Sequence, residues 1–137
     1  MPSRADKYRC NAASCTSVDY GSRASVRRFN AASDRMRKIV ERAYADGPES
    51  VAELIPLLDE SPSNQWLAFQ LLEAGKPPDK VIKKCLKIIR GLIRTYTETG
   101  NSADAMGMSL WLKEWSASRS RKQRLPAREP RDDERGR

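Results

Sequence analysis

The 137-residue sequence contains no histidine. Imidazole general-base chemistry, Ser-His-Asp and Cys-His nucleophile pairs, and His-containing zinc sites are therefore excluded. Aromatic residues make up only 7% of the chain, and no apolar run approaches the roughly 18 residues needed to cross a bilayer. No four-residue alternation of apolar and polar side chains marks a strand. The first residues lack the continuous apolar stretch of a secretory signal, so a soluble, cytoplasmic protein with no membrane partner is expected.

Three cysteines cannot all pair, which fits a reducing compartment. Cys10 and Cys15 form C-x4-C, a poor metal signature without two further ligands, and Cys85 falls on an apolar helical stripe as a small core residue. No metal and no cofactor are expected.

What the sequence has in excess is positive charge, and its location matters. Residues 1–28 hold 6 basic and 2 acidic side chains, residues 29–116 hold 12 of each, and residues 117–137 hold 8 and 4, for net charges of +4, 0 and +4. The central segment carries nearly all the large apolar residues. Both ends lack the apolar density needed to offset chain entropy, so 1–28 and 117–137 are expected to be disordered basic tails around a 29–116 domain.

The central 88 residues read as helices because apolar positions recur every three or four residues. A first helix spans about 30–46, with Asn30 as its N-cap and Gly47-Pro48 as its stop. A second, about 49–60, buries Val51, Leu54, Ile55 and Leu58, and Pro56 must bend or shorten it. Ser61-Pro62 opens a third to about 74, closed by Gly75. The fourth, about 78–98, sets Val81, Ile82, Cys85, Ile88, Ile89, Leu92, Ile93 and Tyr96 against a basic opposite face. Ser102 caps a fifth helix to about 116, where Ala105, Met108, Trp111, Leu112 and Trp115 follow helical spacing. The short links favour antiparallel neighbours, compatible with an α-solenoid fragment or with a simple bundle.

The stretches RFNAASDRMRKIVE, GPESVAELIPLLDESP and SADAMGMSLW resemble successive landmarks of a small bacterial HEAT-like family catalogued as Domain of Unknown Function twenty-nineteen. The resemblance covers roughly residues 27–112. Phe29, Asn30, Asp34 and Met36 fit its opening segment, Gly47, Pro48, Leu54, Pro56 and Asp59 its central one, and Ala103, Asp104, Gly107 and Leu110 its closing one. It departs where Gln65, Trp66, Leu67 and Ala68 stand in place of the family's Val-Arg and alanine-rich helix. The resemblance implies an all-α, HEAT-like helical-repeat mini-solenoid of about five helices, with no catalytic residues to carry over.

Two surfaces then become candidates. Trp66, Leu112 and Trp115 are candidate partner-binding residues, because tryptophans are over-represented at hot spots and a terminal repeat leaves apolar surface uncovered. Lys80, Lys83, Lys84, Lys87, Arg90 and Arg94 are candidate phosphate-binding residues, although Glu53, Asp59 and Glu60 are placed to neutralise part of that face. Asp34 and Asp104 read as first-turn helix carboxylates rather than an acid-base pair. The expected function is a non-enzymatic protein-binding module, an adaptor or immunity-type inhibitor whose partner is another protein. The alternative is nucleic-acid binding through the basic fourth helix and the basic tails.

Overall fold

A computed structural model describes residues 2–16 and 18–128, with side chains described as far as Ser120. Among the described residues the protein is all-α, with six helices and no strand. None of the helices is long and apolar enough to cross a membrane. The chain divides into two units, Met1–Gly91 and Leu92–Arg137, and the division falls inside the segment expected to be one domain. The helix Asp79–Glu98 crosses this division; of its expected apolar face Val81, Ile82, Cys85 and Ile89 are buried, and Ile88, Leu92, Ile93 and Tyr96 are half-buried.

The first unit begins with a helix where an unfolded tail was expected. α1 (Arg4–Ser14) starts at Ser3, whose hydroxyl accepts from the Asp6 amide at 3.1 Å, with Asp6 at the positive end of the dipole. It lies against α2 (Arg23–Asp46), α3 (Pro48–Leu54) and α4 (Ser63–Ala74). Apolar density along α1 is indeed low. What orders it is one large side chain, Tyr8, fully buried together with Ala12.

α2 begins at Arg23, not near Asn30, because Ser22 accepts from the Ser25 amide and supplies the cap. Asn30 is an exposed residue within the helix. Ala32, Met36, Val40 and Ala43 form its buried stripe, at the three-to-four residue spacing the sequence shows. Gly47, at φ +123°, closes α2 and opens α3, a conformation that side-chain-bearing residues rarely adopt.

Pro56 ends the α-helical hydrogen bonding after Leu54, and Ile55–Asp59 continue as a 3-10 turn with Leu57 and Leu58 buried. α4 is buried around much of its circumference, with Ser63, Leu67, Ala68, Gln70, Leu71 and Leu72 all inside, and so forms the centre of the first unit. It ends at Gly75, where a Cβ would lie 2.6 Å from the ring of Tyr44. The Tyr44 hydroxyl donates to the Leu71 carbonyl at 2.6 Å, so the absence of a side chain at Gly75 lets this ring lock α2 to α4.

α5 (Asp79–Glu98) follows Pro77-Pro78 and runs into the second unit. In the second unit it closes through Gly100 at φ +84°. The Asn101 amide donates to the Tyr96 carbonyl and the Gly100 amide to Thr97, a Schellman ending. α6 (Ser102–Arg128) follows. Ser102 is its first residue rather than its cap, and the helix continues past position 116 to Arg128, so the expected tail is helical at least that far. Residues 129–137 of that tail lie outside the described residues.

Candidate functional site

The basic residues of α5 are arranged by helical geometry. At about 100° per residue, Lys80, Lys83, Lys87 and Arg90 fall within an arc of about 80° and along about 15 Å of axis. That arc faces away from buried Val81, Ile82, Cys85 and Ile89, and all four cations are exposed. Arg94, at the same helical register in the second unit, is exposed as well. Lys84 leaves the group, because its ammonium meets Asp59 at 2.7 Å and is neutralised there.

Gly91 sits beside this row, one position past Arg90 and four past Lys87. Nothing lies within 4 Å of where its Cβ would be. Sequence reasoning passed it over. The signal for it is that a glycine in a helix interior costs stability, and at half-buried Gly91 no packing requires it.

The other acidic residues expected to offset the α5 face pair elsewhere. Arg9 donates to Glu60 at 2.7 Å and also meets Asp6, while Arg4 pairs with Asp46 and approaches Glu53 at 3.7 Å. The hydrogen bond from Arg9 holds the Glu60 carboxyl below its ordinary value. The buried Tyr8 hydroxyl on the same helix as Arg9 has its ionisation pushed well above the usual phenol range by burial, with a smaller contribution from Cys15.

The tryptophans divide between the units. Trp66 is half-buried on α4 of the first unit. On α6 of the second, half-buried Trp111 and Trp115 stack with centroids 6.3 Å apart and planes 7° from parallel, and the Arg119 guanidinium lies 5.5 Å from the Trp115 ring centre. Leu112 and Met108 are half-buried on the same flank. The opposite flank carries Met106 and Leu110, exposed to 64% and 54%. This i, i+4 pair was not among the residues nominated from the sequence, because helical periodicity does not show which flank of a helix the fold leaves uncovered.

Asp34 lies well inside α2 rather than in its first turn, and pairs with Arg37 at 2.8 Å. Asp104 is in the first turn of α6. Cys85 is fully buried, and burial pushes its thiol up to about 11. Cys15 is buried with its thiol raised by the same cause, while Cys10 is exposed. Among the described residues no cluster of Cys, Asp and Glu is placed to hold a metal ion. No family model, curated protein or solved structure matches the chain.

Proposed function

We propose that the chain is a non-enzymatic protein-binding module, a cytoplasmic adaptor or immunity-type inhibitor, built on a HEAT-like helical scaffold with its contact surface on α6. The observation that carries this reading is the exposure of Met106 and Leu110 on a helix whose other flank bears the Trp111–Trp115 stack. A helix with apolar side chains on two flanks presents more apolar surface than one intramolecular face covers. Adjacent exposed apolar residues of this kind favour a protein-binding surface. Trp115 and Leu112 offer a second, half-buried strip on the other flank, where a stacked, pre-ordered aromatic pair loses little entropy on association. The absence of histidine and the engagement of Asp34 with Arg37 support a role without catalysis. The resemblance of residues 27–112 to the HEAT-like family supports the scaffold.

The test is affinity capture with the full chain and with a Met106→Glu, Leu110→Glu variant, at low and at moderate salt. The expected result is one protein retained at moderate salt by the wild type and lost by the variant, with helix content unchanged by circular dichroism. Equal retention by both chains, or recovery of nucleic acid alone, overturns the reading.

A further inference from the structure

We infer that the outer face of α5 in the first unit, formed by Lys80, Lys83, Lys87 and Arg90 with Gly91 beside them, is a binding site for the phosphate backbone of duplex nucleic acid. This site is separate from α6 and stands on its own observations. The four cations form a row opposite the buried stripe, all exposed, and none is ion-paired with another described residue, while the nearby Lys84 is held by Asp59. Among the described residues the charge of this row is therefore not compensated by an ion pair, even though the 29–116 segment as a whole is neutral.

Three arguments select the occupant. A cationic helix that lies on a membrane needs an exposed apolar flank to insert, and the apolar residues of this part of α5 are buried (Val81, Ile82, Cys85 and Ile89) or half-buried (Leu86 and Ile88), none of them exposed. An acidic protein surface would meet only exposed rim charges, with no apolar residue among them to exclude water, and such pairs contribute little. A nucleic-acid backbone gains affinity from the same exposed cations because their binding releases condensed counterions. No aromatic side chain interrupts the row to stack a splayed base, which favours duplex over single strand.

Gly91 supplies the second observation. Its missing side chain leaves an open patch of helix surface beside Lys87 and Arg90, so a sugar-phosphate chain lying along the row can approach the helix backbone there.

The experiment measures binding of the full chain to a random-sequence DNA duplex by fluorescence anisotropy across a salt series. Four exposed cations predict a contribution of about −3.6 to the slope of log K against log salt, or about a 10²-fold loss between 50 and 200 mM. A Lys80→Gln, Lys83→Gln, Lys87→Gln, Arg90→Gln variant should lose that contribution. A charge-matched control, Arg23→Gln, Arg27→Gln, Arg28→Gln, Lys38→Gln on α2, should keep it. Gly91→Leu should weaken binding several-fold with helix content unchanged. Equal losses in the α2 control, an unchanged slope in the α5 variant, or tighter binding to polyglutamate or phosphatidylserine vesicles than to duplex each overturns the inference.

Discussion

The Tyr8 hydroxyl donates a 2.6 Å hydrogen bond to the Gln70 side-chain carbonyl, with both residues buried and 62 positions apart in the chain. This bond joins α1 to the central helix α4. It explains how a helix made mostly of alanine and polar residues is held, since one ring fills the space and one acceptor satisfies its polar tip.

Tyr8→Phe removes the donor and leaves the buried Gln70 carbonyl unsatisfied, at a cost of about 1–3 kcal/mol. Tyr8→Ala also empties the cavity and should cost about 3–5 kcal/mol, in the range for deletion of a buried ring. Urea unfolding measures both. Limited proteolysis should cut within residues 4–14 rapidly in Tyr8→Ala and slowly in the wild type, and high salt should not reproduce this release, because the exposed Arg4 and Arg9 pairs are secondary to Tyr8.

Alkaline pH should destabilise the first unit. Burial raises Cys85 to about 11 and holds the phenols of Tyr8 and Tyr44 above their ordinary range. Raised acids keep their protons in the folded state while the unfolded chain releases them. The stability they contribute is full below the unfolded thiol value near 9 and falls as pH rises towards 11 for Cys85, and beyond 10 for the two phenols. Unfolding free energies from pH 8 to 11 should decline, and Cys85→Ala should flatten the part of the decline nearest pH 9 to 11.

Gly75→Ala should destabilise by about 1–3 kcal/mol, because the added methyl overlaps the Tyr44 ring that donates to the Leu71 carbonyl. In a double-mutant cycle, Tyr44→Ala should remove most of that penalty. Additive effects would show that the two positions do not oppose each other.

Gly91→Ala should stabilise the chain by about 0.5–1 kcal/mol, since nothing meets the new methyl and a helix interior favours alanine over glycine. A higher midpoint in thermal unfolding checks this. A stabilised variant would show that the glycine is not retained for folding.

The helices expected at about 62–74 and 78–98 were legible because broad apolar faces recur at helical spacing with proline or glycine at their ends. Pro56 likewise marked the end of α3. α1 was not legible, because its anchorage is a single tyrosine whose partner lies in α4, and no stripe appears in its own sequence. The start of α2 was hidden for a related reason: Ser22 is the cap, but Arg23 to Arg28 offer only half-buried Val26 after it. At the α5 face the exposed cations followed from periodicity alone. The removal of Lys84 did not, since its pairing with Asp59 depends on the turn after α3 being brought beside α5. The Trp111–Trp115 stack follows from i, i+4 spacing, whereas the exposure of Met106 and Leu110 depends on which flank of α6 the fold leaves uncovered.

The most direct test of the α6 surface is hydrogen exchange by mass spectrometry on the full chain, alone and with the captured protein bound. Slowed exchange on binding should be concentrated in α6 between Ser102 and Ser120, with α1 and α4 unchanged. Protection confined to α5, or none anywhere in α6, would contradict the account.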